Sequence, residues 1–229
     1  MSFFTAEELT AIALSIRVAL VATVVSLPIG ILLALILARG RFPGRSLLDA
    51  VVHLPLVMPP VVTGYLLLLA FGRNGPIGRV LDEAFGIVFA FRWTGAALAA
   101  AVMGFPLLVR AIRLSIEAVD DRLEEAASTL GGNRAIVFFT VTLPLALPGI
   151  LAGTVLAFAR AIGEFGATIT FVSNIPGETR TIPSAIYAAL QTPAGDAAAL
   201  KLTAVSIVIA FAALLASELL ARRLKGGVP

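Results

Sequence analysis

The sequence predicts an all-α membrane protein with about five transmembrane helices. Of its 229 residues, 59% are hydrophobic and 14% are charged, whereas about 25% are charged in typical soluble domains. The mean hydropathy is +1.01, so much of the surface must face lipid or other subunits. Five apolar stretches are each long enough to cross, or nearly cross, a hydrocarbon core of roughly 30 Å as a helix.

The predicted spans follow the uncharged runs and their flanking residues. They cover about residues 14–38, 48–71, 93–112, 147–172 and 201–221. The second span contains Pro59, Pro60 and Gly64, which should interrupt its backbone hydrogen bonds and bend it. Such a bend would serve either as part of a gate or as a static kink.

The distribution of basic residues predicts an outside N-terminus and an inside C-terminus. With this orientation the inner segments hold ten basic residues and the outer segments five. The inner set is Arg39, Arg41, Arg45, Arg110, Arg113, Arg122, Arg134, Arg222, Arg223 and Lys225, and the outer set is Arg73, Arg79, Arg92, Arg180 and Lys201. The positive-inside rule favours this N-out/C-in arrangement. Because the basic residues cluster at helix ends, the net charge of +3 does not indicate a nucleic-acid partner.

The longest polar segment, about residues 117–144, lies on the predicted cytoplasmic side. Asp121 and Glu124 form a capping pair, so a helix should begin at Arg122. Gly131 can adopt the left-handed conformation that ends a helix. A first short helix is therefore predicted between Arg122 and Gly131.

A second short helix is predicted immediately after this glycine. Asn133 can cap a helix that runs from Arg134 to about Thr142. Leu143 and Pro144 should then turn the chain into the fourth span. Two short polar helices joined at a glycine suit docking into a soluble cytoplasmic partner, and an amphipathic helix lying on the lipid surface is the alternative.

The spacing in this segment resembles the coupling loop of ABC importer permeases. The family pattern is Glu-Ala-Ala, three residues, Gly, nine residues and Ile-x-Leu-Pro, and Val141 stands here at the Ile position. The matching residues are Glu125, Ala126, Ala127, Gly131, Leu143 and Pro144. The resemblance implies that these residues couple a separate ATPase to the membrane helices.

The chain lacks a motif for hydrolysing ATP itself, so we expect no enzyme activity and no catalytic residue. A P-loop requires Gly-Lys-Ser/Thr, but the two lysines, Lys201 and Lys225, each follow a leucine. The sequence has no cysteine and one histidine, His53. We therefore expect neither a metal site nor a bound cofactor.

Three longer segments resemble the permease subunits of molybdate ABC importers, namely residues 42–49, 53–65 and 161–183. The resemblance implies that residues 1–229 form a single transmembrane permease domain in the bacterial inner membrane. It also implies a homodimer surrounded by membrane lipid, two cytoplasmic ATP-binding subunits and an extracytoplasmic molybdate-binding protein.

Other functions remain open from the sequence. Relatives within this family serve sulfate, thiosulfate and tungstate, so a sulfate/thiosulfate permease is the first alternative. A stand-alone secondary anion transporter is an alternative from another class, although it would call for internal repeats, which we do not find.

The outer segment between the fourth and fifth spans is rich in turn-forming residues. The family resemblance implies that this surface contacts the binding protein, through Gly177, Glu178, Thr179 and Arg180. Pro183 can start a short helix that reaches Gln191. A solvated loop without a partner is the alternative.

Arg160 and Glu164 are two charges near the middle of the fourth predicted span. Four residues apart on a helix, they would share a face and pair. Charges at that depth should face protein or a watery cavity. Arg160 would either lie close to the anion path, with Glu164 limiting the tightness of binding, or form a neutralised pair that locks the helix to a neighbour.

Overall fold

The computed structural model describes residues 3–193 and 195–225, which form an all-helical fold. The long helices are α1 (Ala6–Arg39), α5 (Trp93–Glu117), α8 (Leu143–Ile162) and α11 (Asp196–Lys225). The shorter ones are α2 (Arg45–Val57), α3 (Pro60–Phe71), α4 (Pro76–Phe85), α6 (Asp121–Thr129), α7 (Arg134–Val137), α9 (Gly166–Val172) and α10 (Ile182–Ala189). A π-helical turn, Phe138–Thr142, joins α7 to α8. The predicted fold class is confirmed at this level.

The centre of the bundle is α5, which packs against both α1 and α8. Small residues make this packing close. A methyl group added at Gly30 of α1 would lie 2.9 Å from Leu108 Cδ2, and one added at Gly153 of α8 would lie 3.0 Å from Ala111 Cβ. Helices in membranes gain much of their association from such close backbone approach.

Four helices of the described residues are long and apolar enough to cross a membrane: Ala6–Arg39, Trp93–Glu117, Arg134–Ile162 and Asp196–Ala216. The pair α2 and α3 raises this number to five if it is one broken span. Both terminal helices are longer than the predicted spans, because α1 includes its amphipathic lead-in and α11 begins at Asp196. The lead-in is helical because Thr5 and Glu8 form a capping box.

The second predicted span is not one kinked helix but two helices bent by 114°. The break falls at Met58 and Pro59, and Pro60 starts α3. Pro60 has no N–H, and a proline disfavours the helical conformation of the residue before it. The pair still joins both ends of the bundle, since Asp49 of α2 pairs with Arg113 at one end and Phe71 of α3 packs on Phe89 towards the other.

The fourth predicted span also differs from its prediction at both ends. The expected turn at Leu143 and Pro144 is absent, because one helix continues from Arg134 to Ile162. The π-helical turn just before Pro144 changes the spacing of the backbone hydrogen bonds where proline has no N–H to donate. The helix can therefore continue through Pro144. The helix then stops at Ile162, and α9 resumes at Gly166 rather than continuing unbroken.

Ion pairs identify which segments share an end of the bundle. Glu7 and Glu8 at the start of α1 pair with Arg180 and Lys201, respectively. At the other end, Arg39 of α1 pairs with Asp121 of α6. The start of α1, the loop before α10 and the start of α11 therefore lie at one end, and α6 lies at the opposite end.

Candidate functional site

The polar segment between α5 and α8 folds as a helix, a glycine turn and a second helix. The first helix starts one residue earlier than predicted, because Asp120 rather than Asp121 is its N-cap. The Asp120 carboxylate accepts a hydrogen bond from the Arg122 N–H at 3.0 Å. This bond satisfies one of the donors that a helix start leaves unpaired.

Gly131 and Asn133 behave as the sequence predicted. Gly131 has a φ of +92°, and a methyl group added there would meet no atom within 4 Å apart from those of Gly131 itself and the adjacent residues. The glycine is therefore required by backbone conformation and not by space. The Asn133 side chain accepts a hydrogen bond from the Ile136 N–H at 2.9 Å and caps the helix that leads into the membrane.

This segment exposes apolar side chains and an unpaired carboxylate. Leu130 beside the turn is 89% exposed and Phe139 is 65% exposed. Glu125 is exposed, and its carboxylate makes no hydrogen bond or ion pair within the described residues. Ala126 next to it is also exposed, whereas Ala127 is half-buried. A surface of this kind suits a protein partner better than water.

The end of the segment belongs to the bundle rather than to this surface. Leu143 is half-buried and packs against the core cluster around Ile112 and Ile116, whereas Pro144 is exposed. Of the six residues that match the coupling pattern, Leu143 is therefore placed as an anchor, and Glu125 and Ala126 are placed on the surface.

Sequence reasoning missed the residue that holds this segment to the bundle. Arg39, the last residue of α1, pairs with Asp121 and with Glu124, whose Oε1 lies 3.0 Å from Arg39 Nη2. Glu124 also accepts a hydrogen bond from the Thr142 hydroxyl at 2.7 Å. The sequence signal was weak, because Arg39 and Glu124 are 85 positions apart and only the fold brings them together.

Arg160 and Glu164 do pair, but not as two residues of one helix. Arg160 lies in α8, whereas Glu164 lies in the break between α8 and α9. Arg160 Nη1 and Glu164 Oε2 form an ion pair at 2.7 Å without the geometry of a hydrogen bond. Glu164 Oε1 accepts a hydrogen bond from the Ala167 N–H at 2.8 Å. The Glu164 side chain is 1% exposed and that of Arg160 is 29% exposed.

The two helix breaks lie against each other. A methyl group added at Gly64 of α3 would collide with the Ala167 carbonyl oxygen, and one added at Gly166 would lie 2.8 Å from Pro60 Cβ. The glycines therefore allow α3 and α9 to cross in close contact. The break between α2 and α3 and the break between α8 and α9 are therefore in contact with each other inside the bundle.

Of the four predicted contact residues in the outer loop before α10, one is buried and three are at least partly exposed. Thr179 is fully buried, and its hydroxyl accepts a hydrogen bond from the Ile175 N–H at 2.9 Å, so its side chain shapes the loop. Gly177 is exposed at a φ of +77°. Glu178 is half-buried, and the half-buried Arg180 is held by Asn174 at 3.0 Å. Contact between these four residues and a binding protein stays a prediction.

Comparison with known proteins identifies the family. Residues 26–226 match the family described as binding-protein-dependent transport system inner membrane component, and the chain belongs to it. Together with its apolar helices, this makes the chain a multi-pass inner-membrane protein of the ABC permease class. The family resemblance predicted from the sequence is confirmed.

Three relatives and one solved structure illustrate the match. The molybdenum transport system permease protein ModB of Escherichia coli (strain K12) is 63% identical over 95% of both chains, and that of Haemophilus influenzae is 56% identical over 95% of both. The sulfate transport system permease protein CysW of Synechococcus elongatus is 40% identical over 85% of this chain and 70% of its own. A bacterial ABC transporter involved in alginate import has the same fold, with a TM-score of 0.77 at 19% identity, covering 96% of this chain and 81% of that one.

Proposed function

We propose that this chain is the transmembrane subunit of an ABC importer that moves molybdate across the inner membrane. The observation that carries the proposal is the identity of 63% over 95% of both chains with a molybdenum permease. The sulfate permease is 40% identical over 85% of this chain. The cargo is thus proposed from similarity along the whole chain and not from any one side chain.

Uptake of labelled molybdate by cells with and without this chain tests the cargo. We expect uptake to be lost on deletion, to be restored by a plasmid copy, and to be blocked by unlabelled tungstate far more than by sulfate. Unchanged molybdate uptake with lost sulfate uptake would instead support the sulfate/thiosulfate alternative. Tungstate uptake that depends on the chain while molybdate uptake does not would make tungstate the cargo.

The energy source in this proposal is ATP hydrolysis on a separate cytoplasmic subunit. The chain contains no Gly-Lys-Ser/Thr sequence that could bind ATP phosphates. We propose a homodimer with two such subunits and an extracytoplasmic molybdate-binding protein that docks on Gly177, Glu178 and Arg180. A stand-alone secondary transporter would import its anion without the ATP-binding subunit, so deleting that subunit separates the two classes.

We further propose that the α6–α7 segment is the coupling loop and faces the cytoplasm. The exposed Leu130 and the unpaired Glu125 carboxylate support this role. Glu125→Ala should reduce ATP-driven uptake while leaving membrane insertion unchanged, because it removes no hydrogen bond or ion pair among the described residues. Glu83→Ala is the control, since Glu83 is an exposed carboxylate that pairs, among the described residues, with Arg79 of its own helix. Equal, normal uptake by both variants would remove the support for this role.

A further inference from the structure

We propose that Arg39 is the positioning residue through which movement of the α6–α7 segment reaches the first membrane helix. The inference rests on the proposed function, in which this segment receives the motion of a separate ATPase. It adds to that function a specific mechanical link, made by Arg39, Glu124 and Thr142.

The link joins the end of α1, the end of α5 and α6 at one guanidinium group. Arg39 Nη1 pairs with Asp121 of α6, and Nη2 lies 3.0 Å from Glu124 Oε1. Nη2 also donates to the carbonyl oxygens of Ile116 and Val119, at 3.2 Å and 3.1 Å, where α5 ends. Because a guanidinium is planar with donors in a fixed fork, these bonds fix its position relative to α5 and α6 at once.

Glu124 extends the link to the start of the fourth span. Its Oε1 accepts from Arg39 and also from the hydroxyl of Thr142, at 2.7 Å. Thr142 is the last residue of the π-helical turn and is 3% exposed. The same carboxylate oxygen therefore ties the helix before the Gly131 turn to the helix after it.

Coupling requires one residue that contacts the partner and one that contacts the membrane helices, and neighbouring positions of α6 provide both. Successive residues of a helix point about 100° apart, and Glu124 is turned towards the bundle while Glu125 is exposed with no partner among the described residues. A partner that moves Glu125 must also move Glu124. That displacement acts on Arg39 through an ion pair whose side chains are 27% and 23% exposed, where solvent screens it less than at an open surface.

The first helix can pass this displacement on. Arg39 ends a helix of 34 residues that packs along α5 and α8. Leu37, two residues before Arg39, is fully buried in the same core cluster as Leu108 and Ile112. The end of α1 therefore cannot shift relative to the bundle without repacking that cluster.

Arg41 provides a matched control within the chain. It lies two residues after Arg39 at the same end of the bundle, is exposed, and makes no ion pair within the described residues. Replacing it removes the same charge from the same surface without touching the link. An electrostatic effect of the basic surface as a whole would therefore appear in both variants.

The test measures ATP hydrolysed per molybdate imported by the full transporter in proteoliposomes. Arg39→Ala and Glu124→Gln should each raise this ratio by about 3- to 30-fold, with the ATP-binding subunit still co-purifying. The double variant should be no worse than either single one, because both remove the same link. Arg39→Lys should restore part of the coupling through its retained charge, and Arg41→Ala should match the wild type.

Several results would overturn the inference. The inference is refuted if Arg39→Ala hydrolyses as much ATP per imported molybdate as the wild type or Arg41→Ala. If Arg39→Ala does not assemble, Glu124→Gln and Thr142→Val carry the test, and normal coupling in both refutes the link. A wild-type complex with no ATP-dependent uptake would overturn the proposed function and the link with it, whereas coupled wild type with coupled variants overturns the link only.

Discussion

At the scale of single residues, the described chain uses similar residue types for conformation in one place and for contact in another. Gly131 is free of neighbours and needed for its positive φ, whereas Gly64 sits against the Ala167 carbonyl. Glu125 is exposed and has no hydrogen-bond or ion-pair partner in the described part of the chain, whereas Glu124 next to it is paired. Residue type alone therefore does not give the role, and each position must be read with its surroundings.

Gly131→Ala should destabilise the α6–α7 turn by about 1 kcal/mol, because an L residue at this φ brings its Cβ close to the following carbonyl. Hydrogen exchange of the α6 amides in the purified permease measures the change. Gly163→Ala is the control, since Gly163 has a φ of −89° and an added methyl group would meet nothing closer than 3.9 Å. Equal exchange in the two variants would contradict the role assigned to the turn.

Thr179 and Glu178 should separate stability from docking. Thr179→Val leaves the Ile175 N–H without its side-chain acceptor, at a cost of about 1 kcal/mol, and should lower the thermal unfolding temperature of the permease. Glu178→Ala removes no side-chain hydrogen bond or ion pair among the described residues and should leave that temperature unchanged while weakening capture of the binding protein. A lowered unfolding temperature in Glu178→Ala alone would reverse this assignment.

At the scale of helices, local signals predicted the caps and failed at the breaks. Asn133 and Gly131 act within a few residues of themselves, so their effects were readable from the sequence. Pro59 and Pro60 predicted a bend, but the angle of 114° depends on how α3 packs across α9. The sequence also did not predict that the helix continues through Pro144, because this continuation depends on the π-helical turn before it.

The Arg160–Glu164 pair should behave as a lock across the break between α8 and α9. Glu164→Gln removes the ion pair and leaves Arg160 unpaired, which should cost roughly 2 kcal/mol, below the roughly 3–5 kcal/mol of a fully buried pair, because Arg160 is partly exposed. The double variant with Arg160→Gln should regain part of that stability. Thermal unfolding in detergent measures both.

Uptake by the same variants decides whether the pair also serves transport. If the lock is its only role, the double variant should transport as well as its folded amount allows. Full folding of the double variant without uptake would instead place Arg160 on the anion path. Arg17→Gln is the control for removing an arginine from this half of the bundle, since Arg17 stacks 3.7 Å above the Trp93 ring and makes no described ion pair.

At the scale of the whole molecule, long-range contacts explain what the sequence could not supply. The apolar runs were sufficient to predict the class and most of the spans, because helix length and hydropathy are local properties. The link between Arg39 and Glu124 required two segments 85 positions apart to meet. Ion pairs place Arg39, Asp121 and Glu124 at one end of the bundle and Glu7, Arg180 and Lys201 at the other. The segments that the count of basic residues assigned to the inside and to the outside are thus at opposite ends.

The orientation of the bundle is tested directly by a chain that contains no cysteine. Leu130→Cys and Gly177→Cys each introduce one thiol at an exposed position, at opposite ends of the described bundle. With the N-terminus outside, a membrane-impermeant maleimide should label Gly177→Cys in intact spheroplasts and Leu130→Cys only after permeabilisation. The unmodified chain is the control for background, and elution of both variants as a single sharp peak in size-exclusion chromatography confirms that they fold. Labelling of Leu130→Cys in intact spheroplasts would place the α6–α7 segment outside, where no ATP-binding subunit could reach it, and would overturn its proposed coupling role.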